Sequence, residues 1–353
     1  MPKIDLKYVT GILQATKSED LHEHLQAAIE LEHSTVPPYL SALYSIKPDC
    51  NQAAYQIIFS VVVEEMLHLV IAANVLNAIG GKPELNRPNF IPTYPGTLPM
   101  NVGDGLVVGL APLSKKVLHD TFMEIEKPED PQEFPVQSFK SLLVEQEPEY
   151  ATIGQFYEAI IDKIKELGEA CFTGDPSRQV TNEQWFPKKE LFAVTDVNTA
   201  VKALTLIVKQ GEGTSNSPLD PEGNYAHYYR FAEIYHGKRL KKDTSAPHGY
   251  SYSGVPIPLD PDGIWDLKEN SKAEDYKEGT AHRRMVDQFN FSYTNLLNAL
   301  HDTLNGKPNN LNVAMGLMYQ LKLQAQQMVE LTDPISGKQV APAFEYAPVN
   351  VSA

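Results

Sequence analysis

Cysteine is nearly absent from this chain, with only Cys50 and Cys171 among 353 residues. Two widely separated thiols cannot build a disulfide framework or a structural thiolate zinc site, so a reducing compartment and a cytoplasmic location are expected. Positive charge is also scarce: 30 Lys+Arg stand against 45 Asp+Glu, a formal net charge of -15. That balance disfavours a polyanion-binding surface, and nucleic acid is excluded as the expected partner. No uninterrupted apolar run approaches the roughly eighteen residues of a membrane span. The opening MPKIDLKYVTGILQATKSEDLHEHL shows no long apolar stretch behind a basic one, so neither a signal peptide nor a membrane partner is expected. No glycine-containing stretch has the strand, glycine-rich turn and helix order of a nucleotide site. No serine or cysteine nucleophile motif stands out either.

What the chain does have is helical periodicity. Thr16 and Glu19 can form a capping box for a helix over 17–34, in which Leu21, Leu25, Ala28, Ile29 and Glu32 share a stripe. Pro37-Pro38 should break or kink it, leaving a second short piece over 39–46. A long helix is expected over 55–81, stopped by Gly80-Gly81, and further helices over 113–128, 152–170 (capped by Thr152 and Gln155), from Asp196 to Gln210, and over 227–237. Two last helices are expected over about 273–304 and 309–331, and the proline- and glycine-containing stretches 82–112, 211–226 and 244–264 read as long loops. The expected fold is all-α: an antiparallel four-helix core from 17–46, 55–80, 150–170 and 196–237, with long loop insertions and additional C-terminal helices outside it. Residues 1–243 would form the bundle, and 244–353 the linker, C-terminal helices and irregular tail.

Glu65-Met66-Leu67-His68 is the sharpest local signal. Residues three apart on a helix share a face, and Glu-x-x-His together with a Glu from a neighbouring helix builds a di-metal carboxylate bundle. Here the pair sits among Val61, Val62, Val63, Leu67, Leu69, Val70 and Ile71, where an uncompensated carboxylate is costly, so a metal or a cation must balance it. The plainer alternative pairs Glu64 or Glu65 with an arginine such as Arg230 or Arg283. On the preceding helix Glu32 lies on the apolar stripe, and Tyr39 follows seven residues later.

The pattern Glu32, Tyr39, Glu65, His68 is similar to the first half of ferritin-like di-iron bundles. More narrowly, LEHSTVPPYLSALYS with VEEMLHLVIAANVLNAIGGKP, then QGEG followed by HYYRFAEI, resembles the ferritin-like family that includes the iminophenylpyruvate dimer synthases of violacein- and rebeccamycin-type pathways. The resemblance runs from about Leu21 to Gly237. It implies a first half-site of Glu32, Glu65 and His68, with Glu65 bridging two metals, and a second half-site of Glu158, Glu212 and His227. Glu212 and His227 depart from the family pattern: they stand fifteen apart with prolines and glycines between them, where ordinary bundles keep the pair three apart on one helix. Irregular backbone there could admit substrate; equally, Glu212 could be a loop carboxylate. Tyr39 either hydrogen-bonds a ligating carboxylate or fills a core gap. Arg230 and Glu233 either support the site or form an intrahelical ion pair. His282, Arg283 and Arg284 read either as a carboxylate-binding group or as a solvated basic face.

Four carboxylates and two imidazoles suit two iron ions, manganese being the other metal the set accommodates. The resemblance thus implies a non-haem di-iron oxidase or oxygenase, with dioxygen and a small, amino-acid-derived molecule as partners and Tyr39 and Arg230 as catalytic residues. The alternatives are a ferritin-like iron-binding or ferroxidase protein, and a non-catalytic helical partner-binding protein with a degenerate site. Self-association into a homo-oligomer is compatible with all three.

Overall fold

The computed structural model of the chain describes residues 3–128, 134, 151–181, 183–212, 217–220 and 223–347, the side chains of Glu212 and Pro247 excepted. The elements are overwhelmingly helical: α1 Leu6–Gln14, α2 His22–Tyr44, α3 Gln52–Ala78, α4 Lys115–Val117, α5 Met123–Ile125, α6 Ile153–Leu167, α7 Val197–Glu212, α8 His227–His236, α9 Ala281–Leu304 and α10 Leu311–Met328. A π-helical turn, Leu118–Phe122, joins α4 to α5. Among the described residues the strands are three antiparallel two-residue pairs: β1 Lys3–Ile4 with β4 Ala151–Thr152, β2 Gly96–Thr97 with β3 Val107–Val108, and β5 Lys241–Lys242 with β6 Tyr250–Ser251.

The long helices α2 and α3 form an antiparallel hairpin, and α6 and α7 pack beside them to complete the bundle, with α8 continuing the α7 side. Helix α3 is long and apolar enough to cross a membrane, but most of it is buried inside the bundle, which accounts for its composition. It stops where Gly80 adopts φ +83°, a conformation that costs glycine little. Helix α6 opens on the expected box: the Gln155 amide donates to the Thr152 hydroxyl and the Thr152 amide to the Gln155 side chain, both at 3.1 Å. Asp196 caps α7 by accepting from the Thr199 amide at 2.8 Å. At the start of the bundle the cap carboxylate is Asp20 rather than Glu19, accepting from the Thr16 amide at 2.9 Å.

Helix α2 corrects the expectation of a break. Pro37 and Pro38 lie inside one continuous helix. Each proline removes the amide that would bond the carbonyl four residues back, so Pro38 frees the Ser34 carbonyl. The Tyr94 hydroxyl, from the proline-rich loop, donates to that carbonyl at 2.6 Å. The Ser41 hydroxyl donates to the Pro37 carbonyl at 2.9 Å, binding the next turn. A tertiary contact thus satisfies the carbonyl that Pro38 frees, and the helix runs on through Tyr39.

Helices α9 and α10 form a hairpin outside the bundle. Asn77 donates to the Leu304 carbonyl at 2.7 Å, and the Tyr293 hydroxyl meets His33 Nε2 at 2.7 Å, so α9 is tied to both α2 and α3. Helix α9 starts at Ala281, capped by Thr280, later than the expected 273 because Ala273–Asp275 is a separate single turn. Most buried apolar side chains, from Ile4 to Phe344, form one core, while Leu267, Val329 and Ala341 make a small separate cluster.

Candidate metal centre

Five side chains from four helical segments converge in the middle of the bundle. Glu32 of α2 and Glu65 and His68 of α3 form one group; Glu65, His227 at the start of α8 and Glu126, just beyond α5, form a second. Within each group the ligand-type atoms all lie within 4.8 Å of one another, and Glu65 belongs to both. The local reason is helical phase: Glu65 and His68 are three apart, and Glu32 continues the buried stripe of Leu25, Ala28 and Ile29.

The two imidazoles are oriented alike. His68 Nδ1 is 3.5 Å from Glu32 Oε2, while its Nε2 is 2.9 Å from Gln210 Oε1 of α7. His227 Nδ1 is 2.8 Å from Glu65 Oε1 and 3.4 Å from Glu126 Oε2, while its Nε2 is 3.0 Å from Glu64 Oε2. Each ring therefore presents Nδ1 to the carboxylates and anchors Nε2 on an outer acceptor, the arrangement that fixes the tautomer of a metal-binding histidine. His227 Nδ1 is buried and makes no well-aligned hydrogen bond. An orphaned nitrogen facing two carboxylates is what a cation would satisfy.

Each carboxylate has a hydroxyl beside it. Tyr157 of α6 donates to Glu32, Tyr39 donates to Glu126 Oε1 at 2.5 Å, and the Thr35 hydroxyl lies 3.0 Å from Glu65 Oε2. Behind His227, Arg230 grips Glu64 with two nitrogens and reaches the Ser60 hydroxyl at 3.0 Å.

Electrostatics follow from crowding acids where water is scarce. Burial, reinforced by Glu126 and Glu32 and opposed by His227, pushes the Glu65 carboxyl up to about 7. Burial works against charge on His227, but Glu126, Glu64 and Glu65 outweigh it and hold its pKa well above the usual histidine value. For Glu64, burial is overcome by His227 and Arg230, and the carboxyl falls to about 2. Burial raises Tyr39 and Tyr157 well above the usual phenol, helped by Glu126 and Glu32 respectively, so both stay protonated donors.

Of the expected site residues, Glu32, Glu65, His68 and His227 come together, and Tyr39 takes the hydrogen-bonding rather than the gap-filling role. Glu158 does not join them and that expectation is corrected: its side chain is exposed, and Tyr157, one residue earlier, turns its hydroxyl to the site. Successive helical residues differ by about 100 degrees, and with Tyr157 turned to the site Glu158 falls on the exposed side of α6. The Glu212 side chain lies outside the described residues. Arg230 pairs with Glu64 rather than with Glu233, whose carboxylate accepts from Arg239 at 2.6 Å and the Leu240 amide at 2.8 Å. Arg283 is paired with Asp287 at 2.8 Å, and none of His282, Arg283 and Arg284, in the first turn of α9, belongs to the converging groups. Glu126 was missed, although its position was readable: it follows the stripe of Leu118, Phe122 and Ile125, all buried. The π turn just before it is the kind of helix irregularity that accompanies functional sites.

A cavity of about 50 Å³ borders the carboxylates, walled by Glu32, Glu65, His68, Glu126, Tyr157 and Gly211 among others. Three carboxylates and two imidazoles around a shared Glu65 are oxygen and nitrogen donors suited to a pair of first-row divalent ions, and the residues fit that group.

No curated protein matches the chain. A crystal structure of a ferritin-like protein from Caulobacter vibrioides shares the fold, with a TM-score of 0.60 over 93% of this chain and 97% of that one, at 21% identity. The ferritin-like family profile matches residues 25–236, the stretch that holds all five converging side chains. The chain belongs to the ferritin-like family.

Proposed function

We propose that the protein binds a pair of iron ions between α2, α3, α5 and α8 and serves as a ferritin-like ferroxidase. The observation that carries this reading is the pair of carboxylate–histidine groups sharing Glu65, with both Nδ1 atoms turned inward. When bound, two such ions supply the electrons that reduce dioxygen at one place, which protein side chains do not. The chain's own residues prepare the site. Glu65 must give up its proton to span both groups. The Glu64 and Gln210 acceptors keep protons on Nε2 of His227 and His68 and leave Nδ1 free to ligate. Tyr39 and Tyr157 hold Glu126 and Glu32 in place, and Ile125, Ile153 and Ile207 keep the cavity walls dry. A cavity of about 50 Å³ has room for a few water-sized species, which suits ions and dioxygen.

A second reading, oxidation of a small organic molecule as in the iminophenylpyruvate dimer synthase branch, is favoured by one feature. Gly211 lines the cavity, and between α7 and α8 the described residues 217–220 and 223–226 are not helical, so irregular backbone leads into His227. Anaerobic loading with ferrous iron, followed by iron analysis and then admission of dioxygen, tests the first reading. About two iron ions per chain and oxygen uptake proportional to iron oxidised are expected. Glu65→Ala should lose both iron and oxygen uptake while keeping its helicity. Unchanged iron stoichiometry in that variant rejects the shared role of Glu65, and oxygen uptake that begins only with an added organic substrate favours the second reading.

A further inference from the structure

Away from the carboxylates, a second concavity of about 460 Å³ opens between the α2–α3 turn, Trp265 and α10. Its size falls in the range of small-molecule sites. Tyr44, Tyr55 and Trp265 give it aromatic walls, and Lys47 and Lys322 give it charge. Both lysines lie over rings: Lys47 Nζ is 4.9 Å from the Trp265 ring centre, and Lys322 Nζ is 5.5 Å from that of Tyr55.

Three features show a built site. Neither ammonium has a carboxylate partner among the described residues, although the chain carries a net charge of -15. The two acids on the rim, Asp49 and Glu330, are exposed and pair with neither lysine. Lys47 spends one N–H on the Asp262 carbonyl at 2.8 Å and keeps the others. Tyr44 is mostly buried in the wall, and its hydroxyl makes no hydrogen bond among the described residues and is left to solvent. A phenol in the wall of a cavity whose hydroxyl has only water to bond can donate to a ligand without breaking a protein hydrogen bond. Burial raises its pKa further, so it remains protonated.

The pocket is also preformed. The Trp265 amide donates to the Ser45 carbonyl at 2.7 Å and the Lys47 amide to the Gly263 carbonyl at 3.0 Å. Asn51 bonds both backbone groups of Asp260, at 2.7 and 2.9 Å. A Cβ on Gly263 would lie 2.7 Å from the Cys50 Cβ, so this strap sits as close to the turn as backbone allows. The Trp265 wall therefore needs no rearrangement to receive a ligand.

We infer that this pocket binds a small organic carboxylate with an aromatic or apolar body, the carboxylate taken by Lys47, Lys322 and the Tyr44 hydroxyl and the body by Trp265, Ile46 and Val329. Charge-assisted hydrogen bonds set the sign of the ligand, and the rings set its shape.

The test uses iron-loaded full-length protein carrying Trp185→Phe, which leaves Trp265 as the one tryptophan of the two in the chain. Its fluorescence is followed on titration with phenylacetate, phenethylamine and inorganic phosphate. Phenylacetate should give a saturable change, and the amine of the same shape should not. Lys322→Met should weaken phenylacetate about tenfold, Lys322→Arg should restore most of it, and Tyr44→Phe should weaken it several-fold, with iron content unchanged throughout. No saturable change with phenylacetate, equal binding of the amine, or unaltered binding in both Lys322→Met and Tyr44→Phe would overturn the inference. Phosphate binding as tightly as phenylacetate would overturn the part assigned to the aromatic body.

Discussion

At Glu64 and Glu65, neighbours on α3, a single step of the helix separates two chemistries. Glu65 faces the shared carboxylate–histidine groups, whereas Glu64 turns to His227 Nε2 and Arg230. Sequence spacing could name Glu65 and His68 because their relation is local. It offered Arg230 as one partner for Glu64, which the structure bears out, but it could not see the contact with His227 Nε2, 163 positions away. Glu64→Ala should therefore not leave the site untouched: His227 would lose the acceptor that fixes its tautomer, and iron affinity should fall about 10- to 100-fold. Glu158→Ala is the neutral control, since that side chain is exposed on the far side of α6. Competition with a chelator of known affinity measures both, and an unperturbed Glu64→Ala would remove His227 from the centre. Tyr39→Phe and Tyr157→Phe each withdraw a hydrogen bond from a buried carboxylate, which should cost about 1.5–3 kcal/mol of support for the charged form. The expected sign is slower iron oxidation with the iron still bound, read by stopped-flow absorbance.

At the scale of elements, helices with local punctuation were legible: Thr152 with Gln155 opened α6, Asp196 opened α7 and Gly80 closed α3. Helix α2 was not, because the proline pair is locally a breaker and only a distant tyrosine reveals why it is tolerated. Glu126 escaped for a related reason. Its segment was readable as helical, but nothing local says that its end meets α8 through the π turn. The role of Tyr94 is measurable. In Tyr94→Phe the Ser34 carbonyl, inside α2, loses its donor, and a buried unsatisfied carbonyl costs about 1–3 kcal/mol. Denaturant unfolding should show that loss, whereas the same change at exposed Tyr319 should show almost none. Equal midpoints for the two variants would mean that α2 holds its proline pair without help.

Over the whole molecule, the bundle concentrates acid where it has excluded water, so folding, proton uptake and metal binding are linked. In the metal-free protein the Glu65 carboxyl is raised from 4.5 to about 7, burial being the largest cause. The His227 pKa is also raised above 6.5, because Glu126, Glu64 and Glu65 overcome its burial. A raised folded-state pKa gives stability that is fully present below the unfolded value and is lost as pH climbs through the folded one. Both groups therefore act in the same direction, and their contribution to the stability of the metal-free protein should fall from about pH 5 to 8. Metal binding has the opposite dependence, since the Glu65 oxygens and His227 Nδ1 must be free of protons to ligate. Ferrous iron at 100 times its dissociation constant adds about 2.7 kcal/mol to the folded state. The dissociation constant itself falls as the site deprotonates. The difference in Tm between iron-loaded and metal-free protein should consequently be small at pH 5.5 and widen steadily to pH 8, under anaerobic conditions that prevent turnover. In Glu65→Gln, which holds no exchangeable carboxyl proton at that position, the widening around pH 7 should largely disappear. A Tm difference that stays constant across this range in the wild-type chain would separate iron binding from these acids and place the ion elsewhere.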